Sequence, residues 1–173
     1  EKFSDLDKQP LDSSHPVKDK TQFTVNTTRI GVDFKTPTAI GDVTGKIEGD
    51  FWGASGTGAT FRFRHAYLAT GNWLFGHTWS PFAGQEYLPE TVDFNTLSGG
   101  SLRRRPQVRY TYPMADGNTF SIAVEEGAGD ARFPSLSARF EHQLADGKGG
   151  FNVRAMAHEK RAVVNAANNN EVD

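Results

Sequence analysis

From Thr21 onward, apolar and polar side chains alternate with a period of two, which is the pattern of a β-strand with unlike faces. The alternation recurs in about eight segments, near 21–35, 42–53, 60–70, 72–80, 105–112, 118–126, 135–143 and 150–160. In the first, Arg29, Asp33 and Lys35 share one face while Ile30, Val32 and Phe34 occupy the other. In the second, Asp42, Lys46, Glu48 and Asp50 alternate with Val43, Ile47 and Phe51. Arg62 and Arg64 oppose Phe61, Phe63 and Tyr67, and Gln107 and Arg109 oppose Val108, Tyr110 and Tyr112. Arg139 and Glu141 oppose Phe140, and Arg154, His158 and Lys160 oppose Phe151 and Val153, with Glu159 breaking phase near a strand end. Strict alternation also puts His65 on the apolar face of its strand.

The connections alternate in length. Thr36–Gly41, Gly71–Asn72, Pro113–Asn118 and Asp146–Gly150 are short and carry the Pro, Gly, Asn and Asp that turns require. Ala54–Ala59, Pro81–Arg104 and Glu126–Ser135 fall between them and are mostly longer. Short turns at one end and long loops at the other match the layout of bacterial outer-membrane barrels. Residues 1–20 are polar and proline-containing and read as a flexible tail. The domain expected to follow is residues 21–173.

Composition narrows the classes. Apolar residues make up 36% of the 173 residues, aromatics 12%, and there are eighteen glycines. That mixture favours many short strands over packed helices. No apolar run approaches the ~20 residues of a membrane-spanning helix, so any span has to be a closed barrel, which satisfies its backbone hydrogen bonds internally. Cysteine is absent, which removes disulfides and thiolate chemistry. Net charge is −2, and no basic stripe interleaved with aromatics suggests nucleic-acid binding. No His and carboxylate spacing suggests a metal site, and no glycine-rich loop leads into a helix that could hold a phosphate. Neither a cofactor nor enzymatic activity is expected.

Alternation alone leaves two folds open. A soluble β-sandwich also alternates, with its apolar side turned into a core. The charged faces here carry both signs on nearly every strand, and aromatics stand near strand ends at Trp52, Tyr67, Trp73, Trp79, Phe82 and Tyr112, as membrane-interface girdles do. These features weigh toward a barrel without excluding the sandwich.

Three stretches resemble a known family. They are TTRIGVDFKTPTAIGDVTGKIEGDFWG (27–53), FRFRHAYLATGNWLFGHTWSPF (61–82), and LPETVDFN followed by RRPQVRYTYP (88–113). Their content and order resemble the trimeric porin superfamily, and closely the DcaP-like outer-membrane porins. The likeness is good over about 27–126 and thins beyond. It implies an all-β, antiparallel transmembrane β-barrel of about sixteen strands, of which about eight are present. The end NAANNNEVD lacks the terminal aromatic strand of such barrels, so the chain is expected to represent an N-terminal half. Its His65 would then lie at a subunit interface.

The resemblance further implies a homotrimer in the cell outer membrane, in contact with lipid and lipopolysaccharide, that passes small solutes by diffusion. In that family the long loop after the fourth strand folds into the lumen and narrows it. Here that is the segment around 81–104, with Glu86, Glu90 and Asp93 in its middle and Arg103, Arg104 and Arg105 at its exit. Those carboxylates would face a wall of Arg29, Lys46, Arg62, Arg64 and Arg109 across the constriction. Guanidinium forks match carboxylates and phosphates, so a preference for small anions is expected, with dicarboxylates favoured as the resemblance implies. The same arginines also read as wall charges, since an exposed ion pair contributes only about 0–1 kcal/mol. The Arg103–Arg105 run reads equally as loop surface meeting lipopolysaccharide phosphates. Two other readings stay open: a small filled barrel with a structural or adhesive role, and a soluble ligand-binding sandwich.

Overall fold

The alternating segments form a single antiparallel meander. In the computed structural model, residues 25–53, 59–84, 102–127, 129, 131–145 and 147–160 are described, together with the backbone of 162–165 and 170–172. The expected tail and the carboxylates Glu86, Glu90 and Asp93 lie outside the described residues. The strands are β1 (Ile30–Thr38), β2 (Gly41–Asp50), β3 (Arg62–Thr70), β4 (Trp73–Trp79), β5 (Arg104–Pro113), β6 (Asn118–Glu125), β7 (Ser135–Gln143) and β8 (Gly150–Ala157). A short hairpin of β9 (Ala162–Asn165) and β10 (Asn170–Val172) follows. Each of the first eight strands pairs with its sequence neighbour in the order β1 to β8. The described residues contain no helix.

Turn chemistry sets the short end of this meander. Thr70 pairs directly with Trp73, leaving Gly71 and Asn72 as a two-residue hairpin turn, with Gly71 at φ +53°. Between β5 and β6, Asp116 and Gly117 both adopt positive φ, 58° and 72°. An Asp-Gly pair tolerates that better than other dipeptides, which is why it marks hairpins. β1 extends to Thr38 and β2 begins at Gly41, so the first connection is tighter than the expected Thr36–Gly41 turn.

Burial separates the two folds that alternation left open. Val32, Ile47, Phe63, Phe75, Val108, Val124, Leu136 and Val153 are all exposed. Among the described residues the buried set is instead mostly polar, including Asp50, Thr78, Ser80, Gln107, Glu125, Ser135 and Ser137, with Leu74, Ala83 and Ala123 as its aliphatic members. A sandwich buries its apolar faces; this sheet turns them outward and buries its polar face, as a membrane barrel does. The outer face is knitted by aromatics. Trp73 packs on Tyr110 across β4 and β5 at 4.9 Å, and the Phe34 ring covers Gly45 so closely that a Cβ there would overlap it. β1 and β8 are the two edges of the eight-stranded sheet. The eight strands therefore do not close on themselves, which removes the small filled barrel.

One expectation fails at β3. The pairing runs Ile47 with Ala66 and Glu48 with His65, then jumps to Gly49 with Phe63. Arg64 is the extra residue of a β-bulge, and a bulge reverses side-chain parity on its two sides. Phe61 and Phe63 therefore face outward with Gly49, whereas His65 and Tyr67 join Glu48 and Lys46 on the inner face. His65 is not an outer-face interface residue; its Nδ1 lies 2.8 Å from Thr78 Oγ1 on β4. Tyr67 likewise leaves the outer aromatic set.

Candidate functional site

Two groups of arginines on the inner face differ in how they are neutralised. The first sits where β2 and β3 meet the long connections. Asp50 ends β2, is 2% exposed, and pairs with Arg62 at the start of β3. It accepts Arg62 Nε at 2.8 Å and Arg62 Nη2 at 2.6 Å, a bidentate fork. Arg64 Nη1 reaches the same carboxylate at 2.8 Å while its Nε donates to Glu48 at 2.9 Å. The Trp52 N–H also donates to Asp50 Oδ1, at 3.2 Å. The bulge makes this possible, because it lets Arg64 bridge the carboxylates of two successive inner positions. Deeper on the same strand, Lys46 contacts Asp33 at 3.2 Å and Glu48 at 3.4 Å. Every cation of this group is matched by an acid.

The second group lies on β5 to β7. Arg109, Arg139, Glu141, Thr119, Ser121 and Ser80 line a cavity of about 220 Å³. Arg139 donates to Glu141, two positions along the same strand, at 2.5 Å. Ser121 and Thr111 share a hydrogen bond of 3.2 Å. For Arg109, the Nε is buried with no hydrogen-bond partner. A buried cationic group without an acid costs stability unless something else supplies negative charge or polar contacts. The neighbouring Glu125, 1% exposed, is held instead by Ser137 Oγ–H at 2.5 Å.

The roof of that cavity is the first turn after β4. Phe82 N–H donates to Ser80 Oγ at 3.0 Å and Ala83 N–H to the Ser80 carbonyl at 2.8 Å, a serine-initiated turn. Ser80 N–H is anchored to the Arg103 carbonyl at 3.1 Å. The turn lies over the inner face rather than away from it, because the Phe82 carbonyl accepts Arg154 Nη1 from β8 at 3.2 Å.

The expected site residues thus separate. Arg62, Arg64 and Lys46 are brought together, but with acids rather than with an open space. Arg29 is exposed just before β1. Arg103 is exposed, Arg104 stacks over the Trp79 ring at 3.7 Å, and the buried Arg105 donates to the Glu126 carbonyl at 2.6 Å. All three border one open pocket together with Glu126. Arg109 alone of the expected set faces the cavity. Arg139 joins it there and Arg154 holds the turn that roofs the cavity, although neither was expected as a site residue; their parity with Glu141 and Asn152 was the available signal. Among the described residues no cluster of His, Cys, Asp or Glu could hold a metal.

Comparison with known proteins bears on this geometry. The model of the DcaP outer membrane protein family matches residues 4–172. The chain is also similar to the outer membrane channel DcaP of Acinetobacter baumannii, known from its crystal structure, with 38% sequence identity and a TM-score of 0.69. That likeness covers 77% of this chain and 41% of the channel, so the chain spans less than half of the channel's length. No curated protein matches the chain.

Proposed function

The chain belongs to the DcaP outer membrane protein family, and we propose that it supplies wall and constriction to an outer-membrane diffusion channel preferring small anions, dicarboxylates included. The observation that carries this reading is Arg109, whose Nε is buried without a hydrogen-bond partner, at the wall of a cavity under the turn that follows β4. A fixed charge in a narrow aqueous passage raises the local concentration of oppositely charged solutes and repels its own sign. Arg139, Thr119 and Ser121 add donors around it, and a guanidinium donates two parallel hydrogen bonds to a carboxylate.

The β2–β3 cluster has a different role in this reading. Its arginines are spent on Asp50 and Glu48 and stiffen the mouth. The segment around 81–104 narrows the lumen, with Glu86, Glu90 and Asp93 supplying the opposing charge that orients dipolar solutes. Assembly is as a homotrimer surrounded by outer-membrane lipid, with lipopolysaccharide phosphates meeting the exposed Arg103.

The test is single-channel recording of the full-length protein in planar bilayers under a salt gradient. The expected result is a reversal potential of anion-preferring sign that shifts toward cations in Arg109→Ser. A folded protein that does not conduct, or one that prefers cations before mutation, overturns the reading.

A further inference from the structure

We infer that Arg154 is a positioning residue that clamps the turn Ser80–Gly84 to the opposite part of the inner wall. This deepens the channel reading, since the clamped turn roofs the cavity described above. Three observations converge on it. Arg154 Nη1 donates to the Phe82 carbonyl at 3.2 Å. Asn152 Oδ1, two positions earlier on the same face, accepts Arg154 Nε at 2.6 Å and sets the plane of the guanidinium. The third is Gly84, which is buried and whose missing Cβ is replaced by the guanidinium itself. Any side chain at 84 would occupy the place of Arg154 Nη1, Cζ and Nη2.

Geometry explains why the clamp needs both residue types. Four strand spacings separate β4 from β8 in the sheet, about 19 Å along its surface. The three residues from Trp79 to Phe82 span at most about 11 Å. Contact therefore requires the sheet to curve around the turn and a long side chain to cross the remaining gap. An ammonium group can cross it too, but as a point charge it cannot hold Asn152 and Phe82 at once while lying flat against a peptide. Glycine at 84 admits that flat approach.

A plain wall arginine would make the same contact to Asn152 without affecting the turn, so the readout has to be the turn itself. Amide exchange at Phe82 and Ala83, whose N–H groups are bonded within the turn, is measured by mass spectrometry on the intact protein in micelles. Arg154→Ala is expected to speed exchange there by at least about tenfold, the factor for losing a charge-assisted hydrogen bond. Gly84→Ala is expected to do the same, and the double variant no more than either single one. Arg154→Lys is expected to stay closer to Arg154→Ala than to the parent. Unchanged exchange in Arg154→Ala, with β7 and β8 amides still protected, overturns the proposal, as does additivity in the double variant. The channel reading fails separately, by absence of conduction in the parent protein, and that result leaves the exchange data interpretable.

Discussion

Arg64 and Arg109 project from neighbouring parts of the same inner face, yet they stand in opposite electrostatic situations. Arg64 divides its guanidinium between Glu48 and Asp50, and Arg62 doubles the contact to Asp50. Arg109 has Leu74 and Ala123 as its directly paired neighbours across β4 and β6, and neither offers an acid. The difference comes from the partner strands. β2 places a carboxylate at Glu48 and Asp50, opposite the arginines of β3, whereas β4 and β6 place leucine and alanine opposite Arg109. One region spends its charge on holding the wall together; the other turns it toward the cavity beneath the Ser80–Gly84 turn. A cluster of arginines on a barrel wall is thus informative only after its acids have been located.

Breaking the compensated region should have the largest effect. Asp50→Ala leaves Arg62 and Arg64 facing each other at the base of the β2–β3 connection. Removing one partner of a buried pair costs about 3–5 kcal/mol, and with Arg62 itself 42% exposed the lower end is expected. The midpoint of urea unfolding in micelles measures it; a loss below about 1 kcal/mol would make these ordinary solvated pairs.

The same comparison predicts selectivity. Arg109→Ser should lower the anion-to-cation permeability ratio about fivefold, the weight of roughly 1 kcal/mol for one charge near a passing ion in water. Arg64→Gln combined with Glu48→Gln removes one charge of each sign and should leave the reversal potential in place. Equal shifts in both experiments would erase the distinction between the regions.

The bulge at Arg64 adjoins the first region and turns His65 toward β4. Thr78→Val removes the hydroxyl next to His65 Nδ1 and should cost about 1 kcal/mol, read as the unfolding midpoint. No change would mean that the parity reversal is held by pairing alone.

The smallest effect concerns an acid outside both regions. Glu159 follows β8 and ties down the β6–β7 connection, accepting the Arg132 and Phe133 N–H groups at 2.6 and 3.0 Å. Loss of solvent pushes its carboxyl up, but those hydrogen bonds and the Arg132 charge outweigh it and hold its pKa below the usual value. A carboxyl whose folded pKa is depressed contributes stability above its unfolded pKa, near 4.3, and loses it as pH falls through the folded value. Exchange of the Arg132 and Phe133 amides, corrected for intrinsic rates, should therefore stay level down to about pH 4 and rise below it. In Glu159→Gln that pH dependence should vanish.

Much of the fold was legible because a strand's two faces differ locally. Alternation located β1 to β8 and assigned Arg62, Lys46 and Arg109 to one side, and glycine and aspartate at the turns marked the short end. His65 and Tyr67 were misplaced because a bulge is a single extra residue, defined by its partner strand and carrying no residue type of its own. Arg139 and Arg154 were readable as inner-face residues, but not as a cavity residue and a partner of the turn above it, since only the approach of Ser80–Gly84 from β4 distinguishes them.

By itself the sequence determined the run of alternating strands, their two unlike faces and the family likeness, all of which rest on patterns within a few residues of one another. Only the tertiary structure decided that the apolar face is exposed, that Arg62 and Arg64 are bonded to Asp50 and Glu48 while Arg109 Nε has no hydrogen-bond partner, and that Gly84 lies against Arg154. Those outcomes depend on strand register and sheet curvature, which bring together residues as far apart as 84 and 154. Neither register nor curvature is encoded in any single segment.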